Sequence, residues 1–130
     1  MERWLAPWRG HCYALLRIVA GLLFLCHGAQ KLLGFPGGKA AVTAPLMQAA
    51  GAIELIGGAL IAVGFLAGYA AFLASGEMAV AYFTVHAPGG FFPIVNRGEL
   101  AVLYCFVFLY IAARGSGPLS VEHWREKTLD

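Results

Sequence analysis

The sequence has 130 residues, of which 60% are hydrophobic and only 12% are charged, with a formal net charge of +2. A typical soluble domain has about 25% charged residues, and a chain this small has a large surface for its volume. The composition therefore argues against a soluble enzyme, a disordered segment and a protein that binds nucleic acid. It indicates one integral membrane domain over residues 1–130, with the lipid bilayer as its surroundings.

Four apolar stretches have about the length that a membrane-spanning helix needs, which is about 20 residues. They cover approximately residues 13–33, 46–66, 69–86 and 97–114. Segments rich in glycine and proline follow the first, third and fourth stretches, and these residues break helices. The predicted fold is therefore an all-α, four-helix transmembrane bundle that ends in a short interfacial tail at 119–130.

Basic residues near the ends of these stretches predict the orientation of the chain. Four spans place both termini on one side of the membrane. That side holds Arg3, Arg9, Arg17, Arg114, Arg125 and Lys127, whereas the other side holds Lys31, Lys39 and Arg97. Because basic residues favour the cytoplasmic side, we expect a multi-pass protein of the bacterial inner membrane with both termini in the cytoplasm. A cleaved signal peptide is the alternative for the first stretch, but its length and the three later spans argue against cleavage.

Several ionisable side chains fall inside the predicted spans, where an unpaired charge costs several kcal/mol. At about 1.5 Å of rise per residue, His27 and Glu54 lie about 10 Å below the outer boundary, and Tyr82 and Glu99 about 5 to 8 Å below it. The predicted ligand-binding site contains six residues from four helices: His27, Lys31, Glu54, Tyr82, His86 and Glu99. Five more are expected to support it: Arg17, Gln30, Glu77, Asn96 and Arg97.

This polar cluster has two interpretations, which the sequence leaves open. It is either a site between the helices that opens to the outer face, or a network of salt bridges that fixes the order of the helices. Both predict that Glu54 and Glu99 each approach a basic residue or a histidine of another helix. Glu77 is the deepest charge and could be a neutral, protonated acid. A periodicity of about 100° per residue predicts two shared faces, Tyr82 with His86, and Glu99 with Phe106 and Tyr110.

The sequence gives little support for a metal site or an intrinsic cofactor. Haem ligation by His27 and His86 fits poorly, because the estimated depths of the two rings differ by roughly 8 Å. A mononuclear metal on these histidines and the two glutamates lacks closely spaced ligands. The cysteines form no CxxC motif and are interpreted as buried apolar thiols, Cys12, Cys26 and Cys105. We therefore expect no metal and no intrinsic cofactor.

Small residues at helical spacing predict close packing of the helices. Ala71, Ser75 and Ala79 form one row, and Gly51 and Gly58 share a face of the second helix. Such rows fit contacts within one chain and contacts between chains, so a homo-oligomer stays open. Near the termini, three residues are expected to form an aromatic belt, Trp4, Trp8 and Tyr13. In the tail, Trp124 is expected to anchor a short surface helix whose N-cap is Ser120.

Short motifs follow one another along the chain in a recognisable order. They are Leu16-Arg17, HGAQKL at 27–32, GAIELIGG at 51–58, MAVAY at 78–82, His86, Phe92-Pro93, Asn96, GELA at 98–101 and GSGPLS at 115–120. The series resembles the DoxX family of small bacterial membrane proteins, and the resemblance covers residues 16–120.

The resemblance implies a four-helix membrane bundle and a link to redox chemistry. The family takes its name from the small subunit of a thiosulfate:quinone oxidoreductase, and other members look linked to redox stress and thiol metabolism. The family positions that this chain carries are Arg17, His27, Gly28, Lys31, Glu54, Met78, His86, Asn96 and Glu99. It departs from the family pattern where Ala67-Gly68 replaces a Thr-Arg pair and where Glu122 replaces an aspartate in the tail.

Three functions are compatible with these features. The first, which we take as the prediction, is a membrane subunit of a quinone-linked oxidoreductase. Its pocket would bind a quinone head group, and a soluble or membrane-bound redox partner would supply the electrons. On this hypothesis His27, Lys31 and Tyr82 donate hydrogen bonds, and Phe24, Phe106 and Tyr110 line the slot. The alternatives are a transporter or permeation protein for a small polar solute, and a structural assembly subunit without chemistry. The sequence identifies no catalytic residue.

Overall fold

The computed structural model describes residues 1–38 and 40–129, and every regular element within these ranges is helical. Lys39, which contributed to the predicted orientation, lies outside the described residues. In chain order the helices are α1 (Glu2–Leu5), α2 (Arg9–Leu33), α3 (Pro45–Val63), α4 (Ala67–Ala81), α5 (Pro93–Asn96), α6 (Glu99–Arg114) and α7 (Val121–Leu129). A π-helical turn at Tyr82–His86 extends α4. The predicted all-α class is confirmed.

The four long helices, α2, α3, α4 and α6, fall on the four predicted stretches, with shifted ends. α2 begins at Arg9, four residues before the predicted start at 13. α3 ends at Val63 because Gly64 adopts the left-handed conformation, with φ 71°, and its N–H closes the last turn on Leu60 and Ile61. The turn was predicted at Gly68, which lies inside α4 instead.

Large apolar side chains cover the outside of the long helices. Leu23, Phe72, Leu103 and Phe106 are each more than half exposed. A soluble monomer rarely exposes apolar surface on this scale, whereas a bilayer requires it. Two helical stretches are long and apolar enough to cross a membrane, Glu2–Leu33 and Pro45–Val63. The surface is therefore that of a membrane protein.

The cysteines differ from their predicted burial. Cys12 and Cys26 are exposed on the surface of the chain, and Cys105 is partly buried. The prediction was wrong for the first two because an apolar thiol is as compatible with lipid as with a protein core.

The closest helix contact joins α2 to α3 through glycines. Gly21 and Gly28 of α2 lie against Gly58 and Gly51 of α3, so that the two backbones touch. A Cβ atom on Gly58 would lie 2.5 Å from the backbone nitrogen of Leu25, which is closer than real atoms allow. The close approach predicted for Gly51 and Gly58 is confirmed, and this contact fixes the register of the two helices.

A second contact joins α4 to α6, and an aromatic core fills the space between them and α2. The Ser75 hydroxyl donates a hydrogen bond of 2.8 Å to the Cys105 carbonyl. Phe24 of α2 packs against two rings of α6, with centroid distances of 5.5 Å to Tyr104 and 4.7 Å to Phe108. These three rings are buried, so they hold the side of the bundle on which α2 faces α6.

The bundle has two ends with different polar networks. We call the end that carries residues 1–12 and α7 the terminal end. We call the end that carries residues 34–38, 40–44 and 87–98 the loop end. At the terminal end Arg17 is fully buried. Its guanidinium donates to the carbonyls of Ile61 and Ala62 at 2.6 and 2.7 Å, and to that of Leu119 at 2.7 Å. Arg17 therefore caps α3 and ties the tail to the bundle.

The tail is attached to the same end by specific hydrogen bonds. One carboxylate oxygen of Glu122 accepts a bond of 2.7 Å from the Leu66 N–H, and the other accepts one of 2.5 Å from the Ser116 hydroxyl. The Ser120 hydroxyl accepts a bond from the His123 N–H at 3.1 Å, which confirms the predicted N-cap of α7. The tail therefore docks against the turn between α3 and α4.

Candidate ligand site

A cavity of about 490 Å³ lies at the loop end, between α2, α3, α4 with its π-helical turn, and α6. Its size falls within the usual range of sites for small molecules, about 300–1,000 Å³. Seven charged or titratable side chains line it: His27, Lys31, Glu54, Glu77, His86, Arg97 and Tyr104. Four of the six predicted site residues are among them, His27, Lys31, Glu54 and His86, whereas Tyr82 and Glu99 are not. We call this space the loop-end cavity.

An ion pair between α2 and α3 forms one wall of the loop-end cavity. Lys31 Nζ lies 2.6 Å from Glu54 Oε1, and the side chains are 25% and 3% exposed. The glycine contact between the two helices brings their backbones close enough for this bond, since Glu54 lies one turn after Gly51. The predicted approach of a basic residue to Glu54 is confirmed. A pair this buried is held by geometry and by its hydrogen bond, because desolvation offsets much of the charge attraction.

Two carboxylate oxygens beside this pair have no hydrogen-bond partner among the described residues. They are Oε2 of Glu54 and Oε2 of Glu77, and both atoms are buried. Both side chains line the loop-end cavity. Buried polar atoms in proteins are nearly always hydrogen-bonded, so each exception calls for an explanation. A third such atom among the described residues, Nε of Arg17, lies at the terminal end, so the two unpaired carboxylate oxygens both belong to the loop-end cavity.

Aromatic and apolar side chains form the remaining walls. Tyr104 lines the cavity and meets the His27 ring edge to face, at a centroid distance of 6.1 Å. Phe24 lines it as predicted. Among the lining residues, Leu46 of α3 and Val80 of α4 are strongly exposed, at 81% and 62%. The cavity therefore combines a charged interior with an apolar rim on the outer surface of the helices.

Tyr104 was missed by sequence reasoning, although a signal for it exists. The residues of α6 that are buried are Ala101, Tyr104, Phe108 and Ile111, which recur at intervals of three, four and three. That spacing defines one face of a helix. The prediction instead followed Glu99 and placed Phe106 and Tyr110 beside it, but these two rings are 64% and 48% exposed. The predicted lining by Phe106 and Tyr110 is therefore wrong.

The predicted residues Tyr82 and Asn96 serve the loop rather than the cavity. The Tyr82 hydroxyl donates to the Phe91 carbonyl. Asn96 Nδ2 donates to the Gly90 carbonyl at 2.7 Å and to the Tyr82 hydroxyl at 3.3 Å. His86 lines the cavity, and its Nδ1 lies 3.2 Å from the Asn96 carbonyl. Tyr82 and Asn96 thus hold the 87–98 loop in place and thereby position His86.

Three other predicted residues also lie outside the lining of the cavity. Glu99 is exposed in the first turn of α6 and has no ion-pair partner among the described residues, so its predicted pairing is not seen there. Gln30 donates to the Pro36 carbonyl at 3.0 Å and so supports the loop after α2. Arg17 lies at the terminal end and not beside the site. Glu77 and Arg97, expected only to support the site, line the cavity directly.

The described residues contain no group of three or more histidine, cysteine, aspartate or glutamate side chains placed to hold a metal ion. The chemistry of the loop-end cavity is instead that of hydrogen bonding. Lys31, His27 and Arg97 supply donors, whereas Glu54 and Glu77 supply acceptors. Such a set suits a small ligand that carries oxygen atoms.

The apolar surface, the all-helical fold and the charged cavity define a small helical membrane protein with a candidate ligand site. The chain belongs to the DoxX family, whose sequence profile matches residues 12–87. It is 43% identical over 126 residues to an uncharacterized protein of Haemophilus influenzae, a match that covers 92% of this chain and 94% of that relative. It is also 27% identical over 113 residues to a Bacillus subtilis protein named "Putative oxidoreductase CatD", covering 83% of this chain and 82% of that one. No solved structure matches the chain significantly.

Proposed function

We propose that this chain is a four-helix transmembrane protein of a redox system, and that its loop-end cavity binds a quinone head group or a similar small ligand. The observation that carries the proposal is the composition of the cavity: charged and hydrogen-bonding side chains inside, among them the donor His27, with exposed apolar side chains at the rim. The name of the Bacillus subtilis relative supports the redox part of the proposal. The membrane is the bacterial inner membrane, with both termini in the cytoplasm.

The rim explains how such a ligand reaches the cavity. Leu46 and Val80 are exposed on the surface that lipid tails cover, on either side of the cavity. A ligand dissolved in the bilayer therefore enters between α3 and α4 without crossing water. A quinone fits this route because its apolar tail dissolves in the bilayer, while the two oxygen atoms of its ring can accept hydrogen bonds in the cavity. A polar solute, by contrast, gains nothing from an apolar rim.

The contacts within the cavity follow from the donors that remain available. His27 is exposed to the cavity and pairs with no carboxylate among the described residues, so its ring N–H can donate to an oxygen of the ligand. Phe24 and Tyr104 provide flat apolar walls for the ring. The chain supplies no electron carrier in this proposal, and the electrons come from a soluble or membrane-bound partner.

Mass spectrometry of the purified protein tests the proposal. The protein is extracted in a mild detergent, washed, and its bound small molecules are identified. We expect a quinone in an amount comparable to the protein. The double variant Lys31→Met with Glu54→Leu, which removes the polar wall without stranding one partner, is expected to lose it. A polar solute in place of the quinone would overturn the proposal and favour the transporter.

A further inference from the structure

Hydrogen-bond donors and acceptors are used unequally around the loop-end cavity. The Tyr82 hydroxyl donates to the Phe91 carbonyl, and that of Thr84 donates to the Val80 carbonyl at 2.7 Å. One N–H of Lys31 is taken by Glu54. His27, another donor that lines the cavity, is not buried. No donor is left buried and unpaired at this end among the described residues.

Two hydrogen-bond acceptors of the cavity, by contrast, are buried and have no partner among the described residues. Oε2 of Glu54 is buried and unpaired, in a side chain that is only 3% exposed. Oε2 of Glu77 is also buried and unpaired. The other oxygen of Glu54 accepts from Lys31 at 2.6 Å, and a carboxylate in an ion pair only accepts. Glu77 retains the capacity to accept whether it is ionised or protonated.

His86 adds to this excess of acceptors. Its Nδ1 faces the carbonyl oxygen of Asn96 at 3.2 Å, and a carbonyl oxygen only accepts. Nδ1 must therefore carry the hydrogen. In the neutral ring Nε2 is then an acceptor, and His86 is one of the residues that line the cavity. A ligand that donates hydrogen bonds therefore matches the interior of the cavity.

We propose that the loop-end cavity binds the hydroquinone form of its ligand in preference to the quinone form, with one hydroxyl donating to Glu54 Oε2 and the other to Glu77. This inference rests on the proposed function, since it concerns which redox form of that ligand the site selects. A quinone presents two oxygen atoms that only accept, and it leaves Glu54 Oε2 unpaired. A hydroquinone presents two O–H donors, and bonds from a hydroxyl to a carboxylate are among the stronger ones in proteins.

Selective binding of the reduced form changes the redox equilibrium of the bound ligand. If the hydroquinone binds tenfold more tightly than the quinone, the midpoint potential of the bound couple rises by about 30 mV for a two-electron couple. The site would then stabilise the product of quinone reduction.

Anaerobic calorimetric titration of the purified full-length protein tests this inference. Three probes share one ring: a short-chain benzoquinone, its hydroquinone, and the dimethyl ether of the hydroquinone, which has no O–H donor. We expect the hydroquinone to bind at least tenfold more tightly than either of the others. Glu54→Gln and Glu77→Gln are each expected to reduce this preference several-fold. Glu77→Gln leaves the Lys31 ion pair intact, so it reports on binding even if Glu54→Gln unfolds.

Glu126→Gln is the matched control, because it removes a carboxylate of the exposed tail and should leave the preference at its parental value. Equal affinity for the quinone and the hydroquinone, or tighter binding of the quinone, would overturn the inference while the proposed function stands. Failure of all three probes to bind would overturn the proposed function itself. Tight binding of the dimethyl ether would also contradict the inference, since the ether cannot donate.

Discussion

At the scale of residues, the Lys31–Glu54 ion pair joins α2 to α3 at the loop end. Glu54 is almost completely buried, so its charge depends on one ammonium group at 2.6 Å. Removal of one partner leaves the other unpaired in an environment that solvates it poorly, whereas removal of both does not. The pair therefore responds to substitution as a unit.

Three variants test this dependence. Glu54→Gln keeps an oxygen that accepts from Lys31, so we expect it to fold. Glu54→Leu leaves the ammonium group unpaired and should lower the free energy of unfolding by about 1–3 kcal/mol. Adding Lys31→Met to Glu54→Leu should restore most of the loss. Thermal melting in detergent measures all three, and equal melting temperatures for the parent and Glu54→Leu would show that Glu54 is not coupled to Lys31.

Sequence reasoning placed some of these residues and misplaced others for a physical reason. His27, Lys31 and Glu54 lie in regular helix, where rise and angle per residue extrapolate well, and the structure brings them to one cavity. Tyr82 lies in a π-helical turn, which is wider than an α-helical one and rotates the side chains that follow. The face predicted for Tyr82 with His86 is nevertheless kept, since a Cβ on Gly98 would touch both side chains, but only His86 lines the cavity.

At the scale of elements, α6 shows what the hydrophobic pattern could and could not predict. The helix itself was predicted to within a few residues. Its buried face was not, because nearly every residue of α6 is apolar and the prediction followed a single charge, Glu99. The face that packs is the one with Tyr104 and Phe108, since their rings fill the space beside Phe24. In a helix that is apolar on every side, shape and not polarity selects the packed face.

The contact between α2 and α3 gives the prediction that belongs to this scale. A Cβ on Gly58 would lie 2.5 Å from the Leu25 nitrogen, and backbone cannot move aside without separating the helices. We expect Gly58→Ala to lower stability by about 1–3 kcal/mol and to weaken the nearby Lys31–Glu54 pair. Gly57→Ala is the matched control, because nothing lies within 4 Å of its added Cβ. It should be neutral or stabilising, since alanine favours helix by about 1 kcal/mol over glycine. Equal melting temperatures for the two variants would contradict the packing.

At the scale of the whole molecule, the proposed topology places both termini and α7 in the cytoplasm. The expectation rests on the excess of basic residues at the terminal end, six against three. In a variant that lacks the three native cysteines, Thr128→Cys should resist an impermeant thiol reagent in cells with a permeabilised outer membrane. Lys39→Cys should react. Labelling at position 128 under these conditions would reverse the proposed topology.

The central claim is that the loop-end cavity binds a quinone-type ligand, and a calorimetric titration with a soluble quinone analogue tests it most directly. Calorimetry suits the protein because none of its three tryptophans lines that cavity. His27→Phe removes a donor worth roughly 0.5–1.5 kcal/mol, so affinity should fall about two- to tenfold while the melting temperature stays unchanged. His11→Phe, the same substitution at the terminal end, should bind like the parent. Binding that does not saturate in the parent, or identical saturating curves for the parent and His27→Phe, would contradict the role assigned to the cavity.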